Sequence, residues 1–396
     1  MMNKYILNKK WIHLSDAQVS DLIKRYFKGE KIVRLIEEFK IECVQNNFNK
    51  YLPQVLDPKI KCLSCGSQMA KKLVCRSNVF YVEELLKCTK CQHLHKDYCR
   101  CEYCLDVQYK INEAHQQSLQ SLIENYCKTY ITKHEELSVN YLTFEEAVAL
   151  VALVRICPVN EHGSYDAIYK SLFNFAPRGS LLTDKVVLLL DKEIIRPSAT
   201  SDISAFILYE GKIESFEFLK VNWELNCINP HSIIAEIENC GLLGKWPQRW
   251  FSEVYRVRME LALAECQEYY EHCLEQRKIT YFKEVTVDNL LKNILRDHSV
   301  AQCYRIIWCG ATASSDFRAR NQANHIHTKN YMVGACQRWA DKARAEGWTV
   351  EPYKRNFNLP RSMLSQVLYD VMLKIGEKGF NEVITEDFEW FKYKYE

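Results

Sequence analysis

Apolar positions between residues 14 and 52 recur at helical spacing. Val19, Leu22, Ile23, Tyr26 and Phe27 form one stripe, Ile32, Leu35, Ile36 and Phe39 a second, and Val44, Phe48 and Leu52 a third. Ser15 with Gln18 makes a capping box ahead of the first stripe. Gly29 separates the first stripe from the second, Lys40-Ile41 the second from the third, and Pro53 closes the third. The pattern predicts three short amphipathic helices joined by tight turns.

From about residue 113 the pattern is again mainly helical. Thr143 and Glu146 form a second capping box before the apolar run Ala147 to Val154, which predicts a buried helix ending at Cys157-Pro158. Asn160 to Tyr165 reads as a loop and Leu181 to Ile195 as a helix. Two β-rich runs between Ile203 and Val221 meet at Glu210-Gly211 and predict a hairpin. After Pro247, the stripe Trp250, Val254, Val257, Leu261 and Ala264 marks a long helix reaching Arg277. Further helices are predicted over 286–296, 299–308, 331–346 and 361–376.

Composition narrows the class. Among 396 residues only 12 are Gly and 9 Pro, which excludes a turn-rich all-β fold. The longest apolar run, Ala147 to Val154, is far short of the ~20 residues of a membrane span, so no membrane partner is expected. The opening MMNKYILNKKWIHL carries no apolar stretch suited to a secretory signal. A cytoplasmic location is expected, and in a reducing compartment clustered cysteines read as metal ligands. Of the 18 cysteines, scattered ones such as Cys127, Cys157, Cys240 and Cys273 read as small buried hydrophobes.

Eight cysteines fall between residues 62 and 104. Cys62-x2-Cys65 and Cys88-x2-Cys91 are two knuckles with the spacing of a four-cysteine zinc ribbon. Each knuckle offers two thiolates from one turn, Gly66 suits the left-handed residue such a turn needs, and the intervening VFYVEEL favours a strand. Cys99, Cys101 and Cys104 are a less regular group that lacks a fourth ligand in register. Cys75, His93 or His95 could supply one. A second zinc site of Cys99, Cys101, Cys104 and His95 is one outcome, and a tail packing its cysteines on the ribbon is the other. Four protein ligands leave no open position for water, so neither group reads as catalytic.

The order and spacing of the three N-terminal stripes resemble the helix-turn-helix of resolvases, transposases and homeodomain-like proteins. In that family the third helix enters the major groove, which implies contact through Gln45, Asn46, Asn49 and Lys50; Gln and Asn suit adenine, and Lys suits phosphate or guanine. This sequence departs from the pattern in having no Arg on that helix. The combination with a zinc ribbon resembles, at the level of modules, accessory and regulatory proteins of bacterial mobile elements and phage-defence loci.

The net charge of +3 is uneven: residues 1–112 sum to +8 and the rest to −5. A basic front half is compatible with nucleic acid and also with an ordinary surface. Within the body, Asp316 to Arg361 holds nine Lys/Arg against four acids. It contains FRARNQANHIHTKNY, read as a polar loop between helices. Arg318 and Arg320 could close on one phosphate there if Ser314 to Lys329 is not helical, and His325 or His327 could act as a general base. Walker A, Rossmann, GxSxG and HExxH signatures are absent.

The fold class expected is mainly α (α+β). A helix-turn-helix-like unit occupies 1–56, a zinc-ribbon region 57–110, and a helical body with one hairpin 111–396, with a further boundary open near 225–245. The functional expectation is a Zn2+-containing protein that binds DNA or RNA, its body acting in sensing, oligomerisation or recruitment of a protein partner. The alternatives are a nucleic-acid-processing enzyme with its site around His325, or a zinc-dependent protein adaptor.

Overall fold

The computed structural model describes residues 4–76, 85–96, 99–131, 137–279 and 285–386. The chain is about 56% helical with small antiparallel sheets. It divides into two compact units, Met1–Ser118 and Leu119–Glu396.

In the first unit, β1 (Tyr5–Ile6) precedes α1 (Asp16–Phe27) and α2 (Ile32–Glu38). The Ser15/Gln18 capping box forms as the sequence predicts. Trp11, Val19, Leu22, Tyr26, Leu35 and Phe48 are fully buried and make the core. Arg25 joins the two helices by bonding Glu30 and Glu38, at 2.8 and 2.6 Å. The third expected helix departs from the reading: Gln45–Tyr51 is a 3-10 helix. Its run of Asn side chains competes for backbone hydrogen bonds and disfavours a regular α-helix, and Pro53 stops it one residue beyond Leu52.

A sheet follows, formed by β2 (Gln54–Lys61), β3 (Gln68–Lys72) and β4 (Leu86–Cys88), in the order β1-β2-β3-β4. Because Tyr5 pairs with Val55 and Ile6 with Gln54, the N-terminal segment and the cysteine-rich segment share this sheet. The strand expected from VFYVEEL falls almost wholly on 77–84, outside the described residues. Helix α3 (Glu102–Lys128) starts well before the 113 at which the sequence pattern turns helical.

The second unit contains α4 (Phe144–Ile156), α5 (Gly179–Asp191), β5 (Ile195–Pro197), the hairpin β6 (Phe206–Tyr209) and β7 (Lys212–Phe216), β8 (Trp223–Leu225) and α6 (Pro230–Leu243). Then come α7 (Val254–Glu275), α8 (Val285–Leu295), α9 (Val300–Asn321), α10 (His325–Glu346), α11 (Met363–Gln366) and α12 (Lys378–Asn381). The Thr143/Glu146 capping box is present, and Ala147 to Leu153 is buried on every side. Two hydrophobic cores lie along α7. Its first half packs with α4 to α6, and its second half with α8 to α10.

Three further boundaries differ from expectation. Glu193, at φ +56, ends α5 early, so Ile195 enters β5, which pairs with β8. The 361–376 helix becomes a π-helical turn over Val367–Met372. The loop expected over Ser314 to Lys329 shrinks to Gln322 to Asn324. Ser299 and Gln302 cap α9, which runs on to Asn321, Gln322 ends it at φ +48, and the Asn324 side chain caps α10 by accepting from the His327 N–H. No helix of the described residues is long and apolar enough to cross a membrane.

Candidate metal centres

The two knuckles meet at one end of the β2-β3-β4 sheet. In the first, the Cys62 N–H donates to the Ser67 carbonyl at 2.8 Å and the Gly66 N–H to the Cys62 carbonyl at 2.9 Å. Gly66 takes φ +70, as the tight turn requires. In the second, the N–H groups of Lys90 and Cys91 point at the Cys88 sulfur, at 3.3 and 3.4 Å, and Gln92 turns back at φ +66. The Met69–Cys88 pair of β3 and β4 fixes the register between the knuckles.

The Sγ atoms of Cys62, Cys65, Cys88 and Cys91 lie within 4.8 Å of one another. Cys62 and Cys91 are 3.5 Å apart, and Cys65 and Cys88 3.4 Å. A tetrahedral zinc with ~2.3 Å bonds needs sulfurs ~3.8 Å apart, so the set fits such an ion with small adjustment. The Ser67 hydroxyl and N–H hold the Cys65 thiol down, to about 6. Burial pushes Cys62 up to about 12. A cation among them would favour all four as thiolates.

A second cluster lies directly after the first in sequence. His93 Nδ1 is 3.3 Å from the sulfurs of Cys101 and Cys104 and 3.5 Å from that of Cys99. The four donor atoms again fall within 4.8 Å. Cys101 precedes α3 and Cys104 sits in its first turn, where burial and then the neighbouring Cys101 and Cys99 push the Cys104 thiol up to about 12. The Leu94 N–H donates to the Cys99 sulfur at 3.2 Å.

The fourth member is His93, not His95. The His93 carbonyl accepts from the Cys88 N–H at 2.7 Å, and its ring is buried. His95 bonds to Leu86 through its backbone and leaves its side chain exposed. Spacing alone does not separate the two histidines, since both lie beside the cysteines and only the turn at Gln92 decides which is drawn in. Cys75 belongs to neither cluster. Each cluster could hold a metal ion, for which zinc is the typical choice.

Between the first knuckle and the start of α3 lies a half-open groove of about 590 Å³. Leu63, Leu94 and Leu105 form its apolar walls, Tyr103 stands edge-on to the His93 ring, and His95, Lys96 and Arg100 add positive and polar groups. No carboxylate lines it among the described residues. The sequence reading passed over Leu63 and Tyr103, because neither is a metal ligand and neither is basic.

The remaining candidates are spread apart. Gln45, Asn46, Asn49 and Lys50 are all exposed on the 3-10 helix, and the Asn49 side chain also accepts from the Tyr26 hydroxyl at 2.7 Å. Arg318 and Arg320 lie on regular helix, two residues apart, so they diverge and cannot close on one phosphate. Arg318 is instead brought to His325, at 3.3 Å from Nη2 to Nε2. Arg320 is exposed farther along α9, and His325 and His327 are exposed in the first turn of α10. No nucleophile–base–carboxylate arrangement involves either histidine among the described residues. No family model matches the chain, and no curated protein or solved structure is significantly similar to it.

Proposed function

We propose that the protein is a zinc-containing nucleic-acid-binding protein whose first unit makes the contact. The groove beside the second cluster carries the reading. It pairs an exposed aromatic ring, Tyr103, with cations at Lys96 and Arg100 and has no acid in its lining among the described residues. Single strands are held in this way, with bases stacked on rings and phosphates met by flanking charges. The +8 charge over residues 1–112 supports it. The second cluster shapes the groove, since Cys99, Cys104 and His93 lie in its lining. The exposed Gln45, Asn46 and Lys50 form a secondary contact, and the second unit serves sensing, assembly or recruitment.

The test is anisotropy of labelled single-stranded and duplex oligonucleotides with the full, zinc-loaded chain across a salt series. Affinity should fall linearly with salt on logarithmic axes. Arg100→Ala should reduce that slope by about one, and Tyr103→Ala should cost about 1–3 kcal/mol. Binding that ignores both substitutions and salt overturns the reading. The exposed Leu63 and Leu105 favour one second reading, an adaptor that seats a peptide in the groove. A salt-insensitive loss with Leu63→Ser would identify it. The enzyme alternative has only the Arg318–His325 contact in its favour.

A further inference from the structure

Arg277 and Arg318, like Arg296, Arg305, Arg320 and Arg338, have no carboxylate ion pair among the described residues, whereas Arg178, Arg196, Arg256, Arg344, Arg355 and Arg361 of the same unit do. The two line one open cleft of about 600 Å³, together with Ile279, Ser315, Gln322 and Ala323. No acid lines that cleft among the described residues.

Both guanidiniums are fixed in place by neutral groups. Arg277 donates to the Cys273 carbonyl at 2.9 Å and to the Thr312 hydroxyl at 3.4 Å. Arg318 donates to the Arg277 carbonyl at 3.5 Å and meets His325 Nε2 at 3.3 Å. These bonds orient the forks without neutralising them. An arginine has five N–H donors, so each keeps donors free for a ligand. Two preoriented cations in a concave site, with no acid in its lining among the described residues, concentrate positive potential. Planar forks of this kind match the oxygens of a phosphate.

We propose that this cleft binds a phosphate monoester, with Arg277 and Arg318 as its charge partners and Ser315 and Gln322 within the same lining. The volume accommodates a nucleotide, and the open side also admits the phosphorylated end of a strand. The inference stands apart from the groove of the first unit and does not rest on it.

The experiment uses the full, zinc-loaded chain carrying Arg100→Ala and Tyr103→Ala, so that the groove of the first unit contributes no binding. Calorimetry measures inorganic phosphate, adenosine monophosphate, and short oligonucleotides with a 5′-phosphate or a 5′-hydroxyl. At least one phosphate monoester should bind and raise the melting temperature. Arg277→Gln and Arg318→Gln should each weaken it by about 10- to 100-fold, the worth of a charge-assisted hydrogen bond. Both variants should melt like the parent, and the exposed Arg296→Gln should bind within about twofold of it. Binding of adenosine monophosphate without preference for the phosphorylated strand identifies a small ligand, and the reverse identifies a strand end. No response to any phosphate at millimolar concentration, or an equal loss with Arg296→Gln, overturns the proposal. Should Arg277→Gln melt early through its lost cap on Cys273, Arg318→Gln alone decides.

Discussion

Cys91 and His93 are separated by one residue yet belong to different four-membered clusters. Gln92, in the left-handed region between them, turns the Cys91 sulfur to one cluster and the His93 ring to the other. The two centres therefore share a stretch of backbone. Purified protein should hold one metal ion per cluster. His93→Ala should remove the second while the first remains, and His95→Ala should remove neither. Elemental analysis and the thiolate absorption of the cobalt-substituted protein measure this. Equal loss from both histidine variants would show that the cluster does not select His93. A chelator should unfold the cysteine-rich segment, because metal affinity there is folding free energy.

The hydroxyl of Tyr26 gives a different test, for the N-terminal segment. It donates to Asn49 Oδ1 and accepts from the Arg76 N–H at 3.0 Å, so Asn49, although exposed, is tied to the core of this segment. Asn49→Ala should lower stability by about 1 kcal/mol. Gln45→Ala and Asn46→Ala should stay within ~0.5 kcal/mol, as exposed positions do. Denaturant melts of the three variants decide between them. Equal effects would show that the Tyr26 bond contributes nothing to the fold.

Local signals in the sequence carried far, and side-chain placement did not follow from them. Ser15/Gln18 and Thr143/Glu146 mark real helix starts because a capping box is satisfied within four residues. Glu210-Gly211 marks the hairpin for a similar reason: both residues take positive φ there, +48 and +76. The four-cysteine cluster was legible because each knuckle is a local turn. Failures occur where distant residues decide. Ser314 and Ser315 look like loop formers, but their hydroxyls bond back to the Ala311 carbonyl inside α9. Arg277, distant in sequence from Arg318, carries no motif of its own. His93 and His95 are equivalent until the backbone turns between them.

That same stretch of α9 depends on one close approach. A Cβ added to Gly310 would lie 2.3 Å from the Cys336 sulfur on α10, in a core where Cys336 is fully buried. Gly310→Ala should therefore destabilise the protein by about 1–3 kcal/mol through overpacking, despite its better helix propensity. Cys336→Ala removes the opposing atom, so the double variant should be more stable than the sum of the single effects predicts. Additive effects in thermal melts would mean that the helices separate freely.

Glu268 gives the fourth prediction, on pH. Burial and then the neighbouring Glu265 push its carboxyl up to about 8, with Arg355 pulling the other way. Arg355 is committed to Glu265, at 3.1 Å. A carboxyl whose folded value lies above its ordinary value near 4.5 binds more protons folded than unfolded. Its contribution is fully present below about pH 4.5 and is lost as pH rises through about 8. Between these limits this group makes stability fall with rising pH. Glu268→Gln keeps the shape and removes the titration. The variant should match the parent below about pH 4 and exceed it at pH 9, with a flatter profile between. Parallel melting curves for the two proteins across that range would show that Glu268 is ionised in the fold throughout.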